Sequence, residues 1–241
     1  MSTSGFVFPV LPGKEGVIQE ITRQLKERRA EYEESRARGG VSVERAYLQT
    51  NPDGHSLVVA YLETAGTFSD TMRILLGSDS SLDRFFLDKN SEATGIDFRS
   101  AAIRDPELVG SWLAPNGAPR SKKGFAFAAP LRPGKADEGR AFAREAYDAR
   151  KAEMTESRLA QGLTREEVFM NQTPGGDMIV VYLEGDDPVE ANRRFAASSS
   201  PFDQWFKTRC KDIFPDFIDF NQPVPANEEI FSWVRAAVAA R

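Results

Sequence analysis

The sequence contains very few of the side chains from which common enzyme sites are built. Its 241 residues include one cysteine, Cys210, and one histidine, His55. A single cysteine excludes an intrachain disulfide framework, and one residue of each kind cannot supply the four ligands of a Cys/His zinc site. His55 follows an Asp-Gly turn, where a surface role is expected. A Ser-His-Asp triad and a histidine-bound haem are therefore both disfavoured.

Long apolar runs and nucleotide-binding motifs are missing as well. No run approaches the ~18–20 residues of a membrane-spanning helix, the first residues do not resemble a signal peptide, and neither Gly-x-Gly-x-x-Gly nor a P-loop occurs. The net charge is −5, and the basic cluster at residues 120–123 fits a solvated linker better than a nucleic-acid surface. We expect a cytoplasmic protein without cofactor or metal and without a nucleic-acid or membrane partner.

What the chain does have is a repeat of itself. Residues 28–36 return at 150–158 with six of nine positions identical, and the same order recurs in shorter echoes, Tyr61-Leu62-Glu63 as Tyr182-Leu183-Glu184 and Ser111-Trp112 as Ser232-Trp233. A period of roughly 120 residues is the size of a domain and too long for a solenoid unit. The repeat predicts two modules, residues 1–118 and 119–241, that form a dimer fused into one chain.

Each module has the pattern β-α-β-β-α-β. In the first module the pattern predicts strands at 5–10, 44–50, 56–63 and 96–99, helices at 14–38 and 68–86, and a trailing helix at 106–113. The second module follows the same order, with its last strand at 218–220 and a trailing helix at 228–240. Its first helix is one residue longer, and this residue lies either in the preceding loop or in a π-bulge.

This order predicts an α+β fold of two ferredoxin-like modules. The third strand is apolar on both faces, since Val58, Ala60 and Leu62 alternate with Leu57, Val59 and Tyr61. Helices cover only one face of such a sheet, and an exposed apolar face is a liability. We therefore expect the two antiparallel sheets to pack together as a pseudo-dimeric α/β barrel.

A tandem β-α-β-β-α-β pair with apolar open faces resembles the dimeric α/β-barrel superfamily. This superfamily includes antibiotic-biosynthesis-type monooxygenases, muconolactone-isomerase-like proteins and haem-binding relatives of chlorite dismutase. The resemblance covers about residues 5–234. Its most specific parts, the repeated Arg-x-Ala-Glu-x-x-Glu-Ser-Arg segment and the Ser-Trp pairs, are similar to those of an uncharacterised tandem-repeat branch. It implies the fold and transfers no catalytic residue.

The repeated helix segment allows two interpretations. Arg28 and Arg36 lie at the margins of the apolar stripe, where a guanidinium can hold an anionic ligand. The favoured alternative is an internal network, in which Arg28 pairs with Glu31 and Arg36 reaches a sheet carboxylate such as Glu63 or its copy Glu184. Cys210 has cationic neighbours, but a buried small hydrophobe is the favoured interpretation of a free cysteine.

Tyrosine and glutamate share one strand face in both modules. If that face lines a cavity, a desolvated glutamate can act as general base and the tyrosine can donate to a developing oxyanion. Packing between the modules, with each tyrosine hydroxyl bonded to a glutamate across the pseudo-twofold axis, is the favoured alternative. Together with groups on the adjacent strands, the candidate ligand-binding residues are Tyr47, Gln49, Tyr61, Glu63, Asn171, Tyr182 and Glu184.

Three classes of function remain open. The leading hypothesis is a protein that binds a small apolar or aromatic ligand between its two sheets. The second is a cofactor-free monooxygenase or isomerase that uses the Tyr–Glu pairs, with unequal roles because Tyr47 and Gln49 correspond to Phe169 and Asn171. The third is a structural or interaction protein whose barrel is filled by side chains. Further self-association of the fused pseudo-dimer is also open.

Overall fold

The computed structural model describes residues 1–115 and 123–235, which fall into two compact units. Unit 1 comprises Met1–Pro106 and the segment that begins at Glu228, and unit 2 comprises Glu107–Asn227. Residues 120–122 of the predicted linker lie outside the described residues. None of the described helices is long and apolar enough to cross a membrane.

The first half of the chain alternates strands and pairs of helices. Its elements are β1 (Ser2–Val10), α1 (Glu15–Glu27), α2 (Arg29–Arg38), β2 (Val41–Thr50), β3 (Ser56–Thr64), α3 (Phe68–Leu76), α4 (Ser81–Thr94) and β4 (Glu107–Leu113). The hairpin between β2 and β3 turns at Gly54, which has a positive φ of 84°. Helix α3 begins at a capping box, in which Thr67 and Asp70 bond each other's backbone N–H groups.

The second half repeats this order with one addition. Its elements are β5 (Lys123–Pro130), α5 (Ala136–Arg144), a π-helical turn (Glu145–Ala149), α6 (Lys151–Gln161), β6 (Leu163–Thr173), β7 (Gly176–Gly185), α7 (Pro188–Ala197), α8 (Pro201–Ile213) and β8 (Glu228–Val234). Asp187 and Ser200 cap α7 and α8, and each cap is followed by a proline at the first helical position. The additional residue of the second module thus lies in a π-helical turn, one of the two predicted placements.

Each sheet takes its fourth strand from the other half of the chain. The strand orders are β1-β3-β2-β8 in unit 1 and β4-β6-β7-β5 in unit 2, with antiparallel pairing throughout. The sequence repeat divides the chain between residues 118 and 119. The compact units instead exchange one strand in each direction across that division.

The secondary structure predicted for the last segments of both modules is wrong. Residues 96–99 and 218–220 are not strands: Gly95 ends α4 in the left-handed conformation, and Asp97 then accepts a hydrogen bond from the backbone N–H of Arg99 (3.0 Å) in a tight turn. Residues 106–113, predicted as a helix, contain β4, whose burial alternates with the period of a strand from residue 110. The predicted helix at 228–240 begins as β8, and residues 236–240 lie outside the described residues.

The predicted fold class, α+β with two ferredoxin-like modules, is confirmed. In each unit the helices pack on one face of the sheet, which we call the helix face; the opposite face is called the far face. In unit 1, Val58 and Leu62 of β3 lie on the helix face and share a core cluster with Ile21 and Leu82 of the helices. Tyr61 lies between them in sequence and therefore on the far face.

Two glycines of unit 2 differ in what a side chain would meet. A Cβ atom at Gly110 of β4 would lie 2.6 Å from the ring of Tyr147, whereas one at Gly139 of α5 would find ordinary contacts at 3.5 Å with Met170 and 3.6 Å with Leu131. The extra residue of the π-helical turn leaves both Ala146 and Tyr147 buried. Because Gly110 has no side chain, β4 leaves room for the ring of Tyr147.

We predict opposite effects for alanine at these glycines. Gly110→Ala should lower the free energy of unfolding by about 1–3 kcal/mol, because the ring of Tyr147 must move in a packed core. Gly139→Ala should raise it by about 0.5–1 kcal/mol, because alanine has the higher helix propensity and fits the available space. Urea unfolding followed by circular dichroism measures both, and equal effects of the two variants would contradict the assignment.

Candidate functional site

A buried glutamate on the helix face of unit 1 joins the sheet to the helices. Glu44 of β2 accepts hydrogen bonds from the hydroxyl of Tyr32 (2.8 Å) and from Nη2 of Arg36 (3.2 Å), and Nε of Arg36 also donates to it. Both donors come from α2, and the guanidinium lies over the Tyr32 ring, 4.7 Å from its centroid. The carboxylate is thereby neutralised and bonded within the core.

We call this group of a buried glutamate with its arginine and tyrosine partners the centre of the unit. Unit 2 has an equivalent centre, whose tyrosine comes from a different position in the sequence. Glu166 of β6 accepts from Nε (2.6 Å) and Nη2 (3.1 Å) of Arg158 and from the hydroxyl of Tyr147 (2.5 Å). In the sequence repeat the position of Tyr32 is occupied by Met154, which has no hydroxyl. The π-helical turn supplies Tyr147 instead, so the hydroxyl–carboxylate bond is present although the side chain that makes it has moved.

The exchanged strands complete both centres. Trp233 of β8 lies opposite Glu44, and Trp112 of β4 lies opposite Glu166. The indole N–H of Trp112 donates to Thr155 of α6 (3.0 Å), and the Trp233 ring meets Tyr32 edge-on at 5.4 Å. The repeated Ser-Trp of the sequence therefore marks the strand that covers the buried carboxylate.

The predicted helix network is confirmed in part. Arg28 and Glu31 form the expected i,i+3 ion pair, with Nη2 and Oε2 2.5 Å apart. The predicted sheet partner of Arg36, Glu63 or its copy Glu184, is wrong, because alternation along the strand places Glu63 on the far face. The sequence contained a signal for the true partners: an arginine and a glutamate eight residues apart occur in both modules.

A second buried carboxylate lies behind each centre. Asp83 of α4 accepts from Ser35 (2.5 Å) and from Nη2 of Arg38 (2.7 Å). In unit 2 Asp203 accepts from Ser157 (2.6 Å), and Nη1 of Arg158 lies 3.7 Å from it.

The second buried cation comes from a different position in each unit, Arg38 in unit 1 and Lys207 in unit 2. By the repeat, Ala160 replaces Arg38, and the buried Lys207 replaces Leu87. Lys207 donates to the backbone carbonyls of Ala196 (3.0 Å) and Ser198 (2.8 Å). Counting these side chains, each unit therefore balances two buried carboxylates with two cations.

Burial keeps the phenols and the thiol of these centres protonated. Burial, and secondarily the charge of Glu166, raises the pKa of Tyr147 well above its usual range. Tyr32 behaves in the same way beside Glu44. Burial also raises the pKa of the Cys210 thiol, an effect that the nearby Arg158 opposes only in part. The phenols thus act as neutral donors, and the predicted interpretation of Cys210 as a buried small residue agrees with its position.

Each buried glutamate borders a cavity between the helices and the sheet. The cavity of unit 2 has a volume of about 90 Å³ and that of unit 1 about 70 Å³. Both have largely apolar walls with many phenylalanine rings and contain the Arg–Glu pair of the unit. The unit 2 wall also includes Tyr147 and Cys210, whereas Asn90 occupies the position of Cys210 in unit 1.

The residues predicted to bind a ligand lie on the far face. Tyr61 donates to Oε1 of Glu63 (3.3 Å), and Tyr182 donates to Oε1 of Glu184 (2.7 Å). These four side chains are buried. Each of these bonds joins a tyrosine to the glutamate two residues further along the same strand, whereas the bonds expected from the sequence cross from one module to the other.

The flanking candidates share that far face. By register, Tyr47 and Gln49 lie on the same side as Tyr61, and the amide of Gln49 donates to Asn51 (2.9 Å). Asn171 pairs with Met178 and is half-buried. His55, by contrast, lies in the exposed turn with Nδ1 3.2 Å from the carboxylate of Asp53. This agrees with the predicted surface role of His55.

Three solved structures are similar to the chain. A candidate monooxygenase of Fusobacterium nucleatum subsp. nucleatum is 11% identical, with 98% of this chain and 95% of that chain covered and a TM-score of 0.51. One of Lactobacillus acidophilus is 6% identical, with 90% of each chain covered and a TM-score of 0.51. An anthrone oxidase-like protein is 13% identical, with 99% and 96% covered and a TM-score of 0.49. No protein-family model and no curated protein matches the chain.

The first two structures show a shared fold. Both are matched over at least nine-tenths of their length, so the similarity covers both units and not a single module. The shared fold agrees with the α+β, ferredoxin-like architecture expected from the sequence. Because sequence identity is so low, the similarity establishes the fold and leaves the activity to be argued from the site.

The raised pKa of Cys210 gives a prediction for alkaline pH. The unfolded thiol loses its proton above about pH 8.5 while the folded thiol keeps it, so folding is disfavoured by about 1.4 kcal/mol per pH unit from there upward. Between pH 8.5 and 10, the unfolding free energy of the wild type should fall relative to that of Cys210→Ala. Urea titrations at several pH values give this difference, and parallel curves would contradict a protonated thiol.

Proposed function

We propose that the protein binds small apolar or aromatic molecules in the helix–sheet cavity of each unit. The observation that carries the proposal is the pair of cavities, of about 90 and 70 Å³. Protein cores contain few voids larger than a water molecule, and about 10–15 Å³ suffices for one water. Two similar voids at equivalent places in both units are therefore better explained as binding sites than as packing defects.

The chemistry of the walls supports an uncharged group in the part of the ligand that lies inside the cavity. In unit 2 the guanidinium of Arg158 is already bonded to Glu166 and Ser157, and Glu166 is bonded to Arg158 and Tyr147. A charged ligand would have to displace a buried partner, which leaves an uncompensated charge and is costly. Aromatic rings such as Phe142 and Phe206 provide most of the remaining surface, as in typical small-molecule pockets.

This placement differs from the site predicted from sequence. The sequence hypothesis locates the ligand at the far-face residues, while the cavities lie on the helix face and contain none of Tyr47, Tyr61 or Tyr182. We infer in addition that the chain represents a tandem-repeat branch of the dimeric α/β-barrel superfamily. The repeated Arg–Glu centre and the repeated Ser-Trp strand support that inference.

Cavity-filling substitutions at one repeated position test the binding sites. Thr71 of α3 lines the unit 1 cavity and Ala191 of α7 lines the unit 2 cavity. With fluorobenzene as probe, ¹⁹F NMR should show two bound environments in the wild type. Thr71→Leu should remove one of them and Ala191→Leu the other, because leucine occupies the space that the ring needs.

The two variants serve as controls for each other. Each should leave the remaining site with wild-type affinity, and circular dichroism should show that both are folded. Absence of bound probe in the wild type would contradict the proposal. So would two bound signals that persist in both variants, since the probe would then be bound elsewhere.

A second candidate function is a cofactor-free monooxygenase or isomerase at the far-face Tyr–Glu pairs. Two solved structures of the same fold carry the name of candidate monooxygenases. In this chain the specific support is the buried carboxylate of Glu184, which Tyr182 contacts at 2.7 Å and Arg165 approaches at 3.7 Å. Such a carboxylate can accept a proton from a substrate and the neighbouring phenol can donate to the resulting oxyanion.

Substitution of the proposed bases tests this second candidate. Oxygen uptake with a panel of mono- and polycyclic hydroxyarenes would identify a turnover reaction. Glu184→Gln or Glu63→Gln should then lower the rate by about 10²–10⁴-fold, the usual effect of losing a general base. Unchanged turnover in both variants would exclude these carboxylates as the base, and Glu153→Gln, an exposed carboxylate on α6, is the control.

A further inference from the structure

The unit 1 cavity lies next to a surface recess. The recess, about 600 Å³ in volume, is formed by the end of α2 and the loop between α3 and α4. Its wall includes Glu34, Arg38, Ile74, Asp79 and the serines of the loop. Two of these side chains, Arg38 and Ile74, also line the internal cavity. One layer of side chains therefore separates the cavity from the recess.

Arg38 joins α2 to the α3–α4 loop and to α4 within this layer of side chains. Its Nη2 donates to Asp83 (2.7 Å) on the cavity side and to Ser78 (3.4 Å) on the recess side, and its Nη1 donates to Glu34 (3.1 Å). The Arg38 side chain is 37% exposed, while that of Asp83 is 1% exposed. The ion pair thus spans the boundary between solvent and core, and its opening would join the recess to the cavity.

Unit 2 has different side chains at the corresponding place. There Ala160 replaces Arg38, and Gln161 replaces Gly39. The Gln161 side chain is buried and its amide donates to Ser157 (3.0 Å). The lining of the unit 2 cavity contains no exposed residue among those that the structure describes. The unit 1 cavity, by contrast, is lined by the exposed side chains of Arg38 and Ile74, so the two cavities differ in the side chains that separate them from solvent.

The hydrogen-bonding groups of the recess favour particular head groups. Arg38 already donates hydrogen bonds to Glu34, Ser78 and Asp83, so two carboxylates share its charge. Glu34 and Asp79 expose carboxylate oxygens, with exposed side-chain fractions of 75% and 107%; Arg84 approaches Asp79 only to 3.8 Å, and Arg28 is paired with Glu31. An ammonium or hydroxyl group thus finds exposed acceptors here, whereas a carboxylate meets the exposed charges of Glu34 and Asp79 and a guanidinium, that of Arg38, that is already paired with Glu34 and Asp83.

We propose that the recess is the entrance to the unit 1 cavity, that Arg38 closes it, and that the site takes an aliphatic amine or alcohol in preference to a carboxylic acid. The apolar part of the ligand lies in the cavity and its head group lies in the recess. This assignment rests on the proposed function, because it names the route and the ligand class for one of the two cavities.

The head-group preference is measured with three probes of equal chain length. In the Ala191→Leu background, where the unit 2 cavity is filled, titration calorimetry with 1-hexylamine, 1-hexanol and hexanoate reports on unit 1. We expect the amine and the alcohol to bind about fivefold more tightly than hexanoate, because the exposed carboxylates repel its charge. Added salt should reduce that difference. Hexanoate binding as tightly as the amine would overturn the assigned ligand class.

The role of Arg38 is measured as a rate. Arg38→Ala should accelerate dissociation of fluorobenzene from unit 1 by about tenfold and leave unit 2 unchanged. Arg23→Ala, which removes an exposed arginine paired with Glu27 on α1, is the matched control. If Arg38→Ala does not fold, Ile74→Ala opens the same wall at a half-exposed side chain.

The outcomes separate this inference from the proposed function. If fluorobenzene binds in unit 1 but neither Arg38→Ala nor Ile74→Ala changes its dissociation rate, the entrance is elsewhere and the gating role fails while the cavity site stands. If fluorobenzene does not bind to the wild type at all, the proposed function fails first. Acceleration in unit 1 alone supports the entrance.

Discussion

The fold of each unit depends on the burial of one carboxylate on the helix face of its sheet. An ionised glutamate in a core is costly unless it is paired and hydrogen-bonded. Glu44 and Glu166 therefore fix where the arginine-bearing helix lies, how its tyrosine is oriented and which strand must cover the remaining side. The packed centre leaves a space beside it in both units.

The comparison of the two centres shows which parts are constrained. The arginine, the glutamate and the covering tryptophan keep their places, while the hydroxyl comes from Tyr32 in one unit and from Tyr147 in the other. Both centres thus keep a hydroxyl hydrogen bond to the carboxylate. The position of the tyrosine that donates it can change if a neighbouring residue leaves room for the ring. In unit 2 Gly110 leaves that room, because β4 has no side chain where the Tyr147 ring packs.

The order of strands and helices could be predicted from periodicity and from the repeat, since each element carries its own local pattern. The exchange of β4 and β8 could not, because a strand's neighbour depends on contacts between residues far apart in the chain, 54 positions for Trp112 and Glu166 and 189 for Trp233 and Glu44. That Arg28 and Arg36 form internal ion pairs could be predicted from the repeated helix segment. The partner predicted for Arg36 is Glu63 of β3 and the observed partner is instead Glu44 of β2, since both strands offer a glutamate and only the side of the sheet that each one faces decides between them. Cavities leave no mark in a single sequence.

The exchanged strands also set an order for folding during synthesis. Domains near the N-terminus generally fold first as the chain leaves the ribosome. Unit 1 cannot do so completely, because its sheet lacks β8 until Glu228–Val234 have been translated, after all the strands of unit 2. Until then the edge of β2 is unpaired and Glu44 has no tryptophan beside it, and an unpaired edge is prone to pair with other chains. Unit 2 has all four of its strands once β7 has emerged, so the later half of the protein is the first that can complete its sheet.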